Sequence, residues 1–437
     1  MSRSLTFKKI ILVLGDVFSL YFSLFLTILF GFFKEVNFEV IYLHFLPFSI
    51  LYFLWAIVLY IFGLYDLHLI KTKISFYPRL FGALFTEFIV GALFFYIVPF
   101  FGITPKTNLL LNVLIFGILF ALWRNLFYSL FSNHFLNRVA IVGRGPQVEN
   151  FKKEIKNRPY LGYRLVPIDF KKDLLFQIQK ENIDTVIFTE EFETDPKFLT
   201  ALYLCLPLRI NFLDFAKAYE LITERIPVSI VSRSWFLENL KEGEKGLYDK
   251  LKRIFDLILA MLLLILTFPL WPFIALSIKL NDEGPIFYRQ ERVGKDRKNF
   301  LLIKFRSMIP KAEETGPQWA KKEDLRVTRV GRFLRRFHLD EFPQMINVIL
   351  GNISLVGPRP ERPEFVAQLE KEIPHYHLRH LIRPGFTGWA QIKFRYGRSI
   401  VDSQEKFEYD LYYLKNRSFL LDLGILLKTF QLFFKKE

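Results

Sequence analysis

The chain has 437 residues, of which 52% are hydrophobic and 17% aromatic, and 59 Lys and Arg against 43 Asp and Glu give it a formal net charge of +16. This apolar content excludes a disordered protein, and it favours a membrane protein over an ordinary soluble enzyme. Because Cys205 is the only cysteine, the chain can form neither an internal disulfide nor a cysteine metal cluster.

Four apolar stretches come first, at residues 10–33, 40–64, 80–103 and 109–131, and each is long enough to cross a bilayer as a helix of about 20 residues. The short flanking segments alternate between many and few cations, which in chain order are Arg3, Lys8 and Lys9, then Lys34, then Lys71, Lys73 and Arg79, then Lys106, and then Arg138. The positive-inside rule therefore predicts a cytoplasmic N-terminus and a cytoplasmic location for everything after the fourth span.

Three ionisable residues, Asp16, Glu87 and Arg124, fall inside these spans. A charged side chain is costly in contact with lipid, so we expect each to face another helix, a cavity or the end of a span.

An α/β pattern follows the fourth span. The β-branched run Arg138-Val-Ala-Ile-Val142 leads into Gly143 and Gly145, and further strand-like runs at 185–188 and 208–212 are separated by helical patterns. This order predicts a Rossmann-like domain with a parallel sheet. Only the first Gly-x-Gly of the dinucleotide fingerprint is present, which favours a regulatory or structural module over a dinucleotide site.

A further membrane element covers residues 254–279. Both of its ends are basic, with Lys252 and Arg253 before it and Lys279 as its last residue, and Pro269 lies inside it. Proline removes a helix hydrogen bond and clashes with the preceding turn. We therefore expect a re-entrant helix that kinks at Pro269 and returns to the cytoplasmic face.

The region from 281 to 398 is dense in cations and holds two adjacent acids, Asp340 and Glu341. One carboxylate of such a pair can attack phosphorus while the other holds a metal or moves a proton, and arginines lower the charge barrier. Five cations are candidate phosphate ligands: Lys304, Arg306, Arg326, Arg336 and Arg359. The pair could equally be a solvated helix start, and the basic runs could bind anionic lipid headgroups.

Six ordered motifs between residues 248 and 427 resemble the bacterial sugar transferase family, the monotopic polyprenyl-phosphate phosphoglycosyl transferases. They are Lys252-Arg-Ile-Phe-Asp-Leu257, Gly284-Pro-Ile-Phe-Tyr-Arg-Gln-Glu-Arg-Val-Gly294, Lys304-Phe-Arg-Ser-Met308, Asp340-Glu-Phe-Pro-Gln344, Leu355-Val-Gly-Pro-Arg-Pro360 and Pro384-Gly-Phe-Thr-Gly-Trp-Ala-Gln391. The whole chain is similar to the larger members, which initiate exopolysaccharide, capsule or O-antigen synthesis. Three parts are expected: four transmembrane helices (1–134), the Rossmann-like domain (135–245) and a mostly helical catalytic domain (246–437).

The resemblance implies transfer of a sugar 1-phosphate from a UDP-sugar to undecaprenyl phosphate, with release of UMP and a requirement for Mg²⁺. It implies that Asp340 is the nucleophile, through a covalent phosphosugar intermediate, and a metal ligand. Glu341 would be its partner and Arg359 a phosphate ligand, and Pro269 would break the membrane helix. The implied location is the bacterial inner membrane, as a multi-pass protein with its catalytic domain on the cytoplasmic face, and a homodimer and polysaccharide-assembly proteins are further expected partners.

The sequence departs from common family members at Phe268, His338 and Phe342, without touching the carboxylates. Residues 361–366 resemble the large hexose-type members, which favours a hexose donor. The apolar stretch 419–434 predicts either an interfacial helix or a core helix.

Three other functions are less consistent with the sequence. A membrane-bound nucleotide-sugar dehydratase would need a Tyr-x-x-x-Lys pair, and Tyr248 and Lys252 have that spacing outside the α/β segment. A non-catalytic assembly scaffold is disfavoured by the retained Asp340, Glu341 and Arg359. No nucleic-acid reader motif accompanies the positive charge, so no nucleic-acid partner is expected.

Overall fold

A computed structural model describes residues 2–31, 38–65, 73–98, 106–133, 137–158, 162–169, 173–193, 195–208, 210–310, 312, 324–394 and 399–434. The chain divides into two compact units, Met1–Thr223 and Glu224–Glu437.

The first unit begins with four long apolar helices, α1 (Ser2–Gly31), α2 (Phe38–Ile61), α3 (Lys73–Ile97) and α4 (Lys106–Asn133). Each has the length and hydropathy to cross a membrane, as the sequence predicted. Their shared core includes Phe48, Trp55 and Phe116, whereas Phe81 and Tyr96 are exposed on the outside. Apolar side chains on both the inner and outer surfaces are expected of a bundle surrounded by lipid. Lys34 and Lys71, used to predict the orientation, lie outside the described residues.

The three ionisable residues predicted inside these spans point into the bundle. Arg124 Nη2 of α4 lies 2.7 Å from Asp16 Oδ2 of α1, and both side chains are buried. Glu87 is buried as well. Asn112 of α4 donates to Ser23 Oγ of α1 at 3.1 Å. The expectation that the ionisable residues face other helices is therefore confirmed.

The rest of this unit alternates strands and helices, with bounds β1 (Asn137–Val142), α5 (Pro146–Asn157), β2 (Tyr163–Leu165), α6 (Leu174–Glu181), β3 (Thr185–Phe188), α7 (Glu190–Glu193), α8 (Pro196–Leu204), β4 (Asn211–Asp214) and α9 (Phe215–Thr223). The four strands form one parallel sheet in the order β2-β1-β3-β4. The predicted parallel sheet is thus confirmed, and the Rossmann-like assignment stays a prediction. The strand predicted at 208–212 begins later, at Asn211, because Leu206–Leu208, which contains Pro207, forms a 3-10 turn.

The second unit contains the predicted membrane element as two helices. After α10 (Arg233–Asn239), α11 (Gly246–Thr267) ends in a 3-10 turn, Phe268–Leu270, and α12 (Trp271–Asn281) follows. The turn contains Pro269, so the α-helical hydrogen bonding is interrupted where the sequence predicted. Backbone angles stay in the right-handed helical region through Phe268 and Leu270. Whether the element returns to the same membrane face stays a prediction.

The remaining elements are small and surround the sequence motifs: β5 (Phe287–Val293), β6 (Asn299–Phe305), α13 (Arg329–Arg336), α14 (Gln344–Leu350), β7 (Ser354–Val356), α15 (Pro363–Glu372), β8 (Gly385–Thr387), α16 (Trp389–Lys393), α17 (Ile400–Asn416) and α18 (Phe419–Phe434). Strands β5 and β6 pair antiparallel, and β7 and β8 pair parallel. Helix α18 buries Ile425 but exposes Leu420 and Phe430, so it has both a core-facing and an exposed apolar side.

Candidate active site

The two adjacent acids lie in a 3-10 turn, Leu339–Glu341, between α13 and α14. His338 enters this turn in the left-handed region, with φ of 51°, a conformation that few non-glycine residues adopt. In a 3-10 helix successive side chains are about 120° apart. Asp340 and Glu341 therefore point in different directions, and the structure gives Asp340 a buried position.

Glu341 connects the acidic pair to two of the predicted phosphate ligands. Its Oε1 accepts from Lys304 Nζ at 2.9 Å and from Arg359 Nη2 at 2.8 Å. The side chains of Glu341 and Lys304 are mostly buried, whereas Arg359 is 47% exposed. Two cations from distant parts of the chain thus converge on one carboxylate beside Asp340.

The backbone that carries Lys304 is fixed by a side chain of α14. Asn347 accepts from the amide of Ile303 at 3.0 Å and donates to the carbonyl of Leu301 at 2.8 Å. Because Asn347 lies only six residues after Glu341, the same short segment supplies the acid and holds the strand that presents its cation.

The two acids have opposite electrostatic surroundings. Burial and the adjacent Glu341 raise the pKa of Asp340 above its ordinary value, against the charges of Lys304 and Arg335. Burial alone would raise the pKa of Glu341 too, but the charges of Lys304 and Arg359 hold it well below the ordinary range. Glu341 is therefore a permanent anion, and Asp340 is the more basic carboxylate.

In the part of the chain that the structure describes, no side chain or amide donates a hydrogen bond to the Asp340 carboxylate. Nor do those residues contain a cluster of three or more His, Cys, Asp or Glu that could enclose a metal by itself. Mg²⁺ is commonly held by one or two carboxylates together with substrate phosphates and water. The Asp340 carboxylate, to which no described residue donates, lies beside Lys304 and Arg359, two cations able to bind phosphate. This arrangement fits that type of site.

The other three predicted phosphate ligands do not join this group. Arg306 is buried in an ion pair with Asp282. Arg326 makes a bidentate ion pair with Asp324, with N–O distances of 2.8 and 2.6 Å. Arg336 is exposed at the end of α13, with its guanidinium 5.7 Å from the ring centre of Phe337. Their phosphate-binding roles stay predictions.

The Tyr-x-x-x-Lys pair considered for a dehydratase is part of a structural network. Tyr248 donates to Asp422 at 2.6 Å, and Lys252 Nζ lies 3.0 Å from the same carboxylate. Lys252 also lies 3.5 Å from Asp256, which accepts from Ser354 Oγ at 2.6 Å. The pair thus joins α11 to α18 and β7, where no dinucleotide fingerprint lies.

Two arginines that sequence reasoning missed, the buried Arg379 and the half-buried Arg292, contact the backbone around Arg359. Arg379 donates to the carbonyl of Arg359, and Arg292 donates to that of Pro360, each at 2.9 Å. Arg379 is paired with Asp410 of α17 at 2.9 Å, and both are buried. Two acids, Glu408 and Asp410, within the apolar run Phe407-Glu-Tyr-Asp-Leu-Tyr-Tyr-Leu414 were the available signal, since a buried acid needs a cationic partner.

The sequence profile of the bacterial sugar transferase family matches residues 247–436, which contain every residue of this site. Over 199 residues the chain is 43% identical to a UDP-N-acetylgalactosamine-undecaprenyl-phosphate N-acetylgalactosaminephosphotransferase of Aeromonas hydrophila, a match covering 44% of this chain and 47% of that protein. The chain thus spans about half the length of that relative.

Two other relatives are matched over a larger share of their length. The UDP-glucose:undecaprenyl-phosphate glucose-1-phosphate transferase of Escherichia coli (strain K12) is 32% identical over 315 residues, or 68% of each chain. The exopolysaccharide production protein PSS of Rhizobium leguminosarum bv. phaseoli is 39% identical over 185 residues, which cover 41% of this chain and 92% of that protein. With the profile match and this coverage, the chain belongs to the bacterial sugar transferase family.

Proposed function

We propose that this chain is a phosphoglycosyl transferase that moves a sugar 1-phosphate from a UDP-sugar to undecaprenyl phosphate and releases UMP. The observation that carries the proposal is the position of Asp340. Its carboxylate has no donor among the described residues and lies next to Glu341, on which Lys304 and Arg359 converge. An available carboxylate beside paired cations is suited to attack on a phosphate ester.

In the first step an Asp340 carboxylate oxygen attacks the donor phosphorus that carries the sugar. The bond from that phosphorus to the oxygen bridging the two phosphates breaks, and UMP leaves with the bond's electrons. Arg359, which is partly exposed beside Glu341, is placed to bind oxygens of the reacting phosphate. The product on the protein is a sugar phosphate linked to Asp340.

In the second step an oxygen of undecaprenyl phosphate attacks the same phosphorus. The bond to Asp340 breaks, the carboxylate is regenerated, and the lipid carries a diphosphate-linked sugar. Glu341 keeps Lys304 and Arg359 in place through both steps because its low pKa leaves it charged throughout. The two steps account for every phosphate, and no proton has to be supplied.

Asp340 is also the residue that would hold Mg²⁺, together with phosphate oxygens of the donor. When bound, the ion supplies positive charge that neutralises the diphosphate and its leaving group.

The acceptor lipid requires a site at the membrane surface. We infer that α11 and α12 form a re-entrant element broken at Phe268–Leu270, and that the second unit lies on the cytoplasmic face of the bacterial inner membrane, where UDP-sugars are found. The basic residues on both sides of this element, such as Lys252 and Lys279, support this orientation. The α/β segment is then a Rossmann-like cytoplasmic module, and a homodimer and polysaccharide-assembly proteins are further proposed partners.

The donor sugar is not fixed by the family. The relatives in A. hydrophila and E. coli are named for N-acetylgalactosamine and glucose, respectively. A hexose donor stays our proposal, on the resemblance of residues 361–366 to hexose-type members. The product lipid would begin exopolysaccharide or O-antigen synthesis.

The test is UMP release by the purified full chain in detergent with undecaprenyl phosphate, Mg²⁺ and a panel of UDP-sugars. We expect one or a few donors to release UMP, and Asp340→Asn to lower the rate at least 1,000-fold, on the order of the loss of other covalent nucleophiles. Glu372→Gln, which changes an exposed acid of α15, is the matched control and should retain the wild-type rate.

The covalent intermediate has its own readout. With donor and Mg²⁺ but without acceptor, intact mass spectrometry should show one added sugar phosphate on the wild-type chain and none on Asp340→Asn. Absence of UMP from every donor, or undiminished release by Asp340→Asn, would refute the proposed function. UMP release without a protein adduct, even under rapid quenching, would refute the covalent route.

A further inference from the structure

The segment Gly357-Pro-Arg-Pro-Glu361, here named the Pro-Arg-Pro loop, has a hydrogen-bond donor for four successive carbonyl groups. Pro358 accepts from the amide of Gly385 at 2.8 Å, and Glu361 accepts from that of Val293 at 2.9 Å. Between them, Arg359 and Pro360 accept from the side chains of Arg379 and Arg292. A loop without regular secondary structure is therefore fixed at every carbonyl from 358 to 361.

Successive side chains of the loop alternate between buried and exposed positions. Pro358 and Pro360 are buried, whereas Arg359 between them is exposed and reaches Glu341. The prolines fix two backbone φ angles and cannot donate hydrogen bonds, so the loop depends on donors supplied from outside it. The arrangement fixes the backbone of Arg359, while its guanidinium, paired with Glu341, stays partly exposed and accessible to a phosphate.

Glycines allow the close approach on one side of this loop. A Cβ on Gly385 would lie 2.1 Å from the amide nitrogen of Gly357, and a Cβ on Gly388 would lie 2.1 Å from its carbonyl oxygen. The strand β8 and the segment after it therefore touch the loop backbone directly. This explains why the glycines of the motif 384–391 are needed next to Leu355-Val-Gly-Pro-Arg-Pro360.

Arg379 needs its own support because a buried guanidinium is costly without a counter-charge. Asp410 supplies the charge at 2.9 Å, and Tyr376 accepts through its hydroxyl oxygen and lies with its ring centre 4.9 Å from the guanidinium carbon. The side chains of Arg379 and Asp410 are 6% and 4% exposed. Evidently this pair is inaccessible to substrate, so any effect on the reaction has to pass through the loop.

We infer that Arg379, held by Asp410, and Arg292 are positioning residues that fix the Pro-Arg-Pro loop so that Arg359 meets the sugar-bearing phosphate in the transition state. The inference rests on the proposed function. A displacement of about 1 Å at a reacting group can cost on the order of 100-fold in rate. Loss of these donors should therefore lower kcat by about 10- to 100-fold and change the KM for the donor less.

The test variant is Arg379→Met combined with Asp410→Leu, which removes both members of the pair and leaves no buried charge behind. The matched control is Arg225→Met combined with Glu405→Leu, which removes another ion pair to α17, of 2.6 Å, that does not touch the loop. A second test variant, Arg292→Met, removes the other side-chain donor. Thermal unfolding in detergent selects the variants that remain folded.

Hydrogen exchange tests the loop independently of catalysis. The amides of Val293 and Gly385 donate to the loop carbonyls. Peptides that contain these amides should therefore exchange faster in both test variants, and their exchange rate should be unchanged in the control. Unchanged exchange in both test variants would overturn the inference, whether or not the chain turns over substrate.

A double-mutant cycle then separates positioning from general destabilisation. In the wild-type background the Arg379/Asp410 change should lower kcat, and in an Arg359→Ala background it should lower kcat by less than about twofold, because the residue that it positions is already gone. Losses that multiply would overturn the inference while UMP release by the wild type still supports the proposed function. If the wild type releases no UMP, the proposed function is wrong, and hydrogen exchange alone tests whether Arg379 and Arg292 fix the loop backbone.

Discussion

Asp340 and Glu341 are neighbours in the chain with different chemical tasks. Glu341 is neutralised by Lys304 and Arg359, with N–O distances of 2.9 and 2.8 Å. A carboxylate in two ion pairs is a poor nucleophile because its charge is already shared. Asp340 keeps its charge unshared among the described residues, and burial makes it more basic. The two acids differ in role because of these surroundings and because the 3-10 turn points their side chains in different directions.

This difference in pKa predicts how kcat/KM falls at acidic pH. Asp340 attacks only when it is ionised, and its pKa lies above the ordinary value of about 3.9, so kcat/KM should fall at a higher pH than an ordinary aspartate would give. Arg335 lowers the pKa of Asp340 by its charge, and Arg335→Gln should move the acid limb to still higher pH.

The control is Arg332→Gln, which removes an exposed charge of the same helix that is not among the main causes of the shift in the Asp340 pKa. Profiles of kcat/KM for the donor, measured at constant ionic strength, compare the three proteins. A shift of the acid limb to lower pH in Arg335→Gln, or an equal shift in the control, would contradict this assignment of the titrating group.

Residue types and spacing identified the acidic pair, Lys304 and Arg359, because each lies in a short motif of unusual composition. The same reasoning named Arg306 and Arg326, which the structure pairs with Asp282 and Asp324. A basic residue in a motif has the same sequence pattern whether it awaits a ligand or balances an acid nearby. Only the fold shows which arginines already have an acid.

Elements of long, uniform pattern were predictable, and short ones were less so. The four apolar helices and the strand Thr185–Phe188 appear where hydropathy and β-branched residues placed them. The strand at Asn211–Asp214 was displaced by a proline-containing 3-10 turn. Asp340 and Glu341 lie in a 3-10 turn rather than at the start of an α-helix, and His338 enters this turn in a left-handed conformation. Such local events depend on single residues that periodicity does not capture.

The break between α11 and α12 makes a prediction at the scale of one element. If the element is re-entrant, residues after it lie on the same side of the membrane as the α/β segment. In a Cys205→Ser background, Lys298→Cys, located after the break, and Lys153→Cys, located in α5, are both at exposed positions. A membrane-impermeant maleimide should label both in inverted vesicles and neither in right-side-out spheroplasts.

Labelling of Lys298→Cys in spheroplasts, with Lys153→Cys protected there, would show that the element spans the membrane. The Cys205→Ser chain without an introduced cysteine measures background labelling. Cys205 itself is buried, so it is not a useful reporter in the folded protein. The positive charges on both flanks of the element argue against crossing, since a crossing would move the cations of the far flank to the outer side of the membrane.

At the scale of the whole molecule, the basic charge found at the start has a definite distribution. Only nine of the 59 Lys and Arg fall in residues 1–137, where all but Arg124 lie at the ends of the spans. Within the second unit they divide into arginines that hold the fold, such as Arg379 and Arg417, and cations that reach the acidic pair. The overall charge therefore drew attention to the cations around the acidic pair, but most of the arginines with structural roles could not be recognised without the partners that the fold brings to them.

The division into two units predicts that catalysis belongs to the second alone. Every contact described for Asp340, Glu341 and the Pro-Arg-Pro loop lies within Glu224–Glu437. The R. leguminosarum relative is matched over 92% of its length by 185 residues of this chain, about the size of this unit.

We therefore expect residues 224–437, expressed alone in membranes and purified in detergent, to release UMP within about tenfold of the full-chain rate. Asp340→Asn in the same fragment is the control for background hydrolysis. A folded fragment, judged by cooperative thermal unfolding, with less than a hundredth of the full-chain rate would show that the first unit contributes to the reaction itself, and the apolar helices would then have to supply part of the acceptor site.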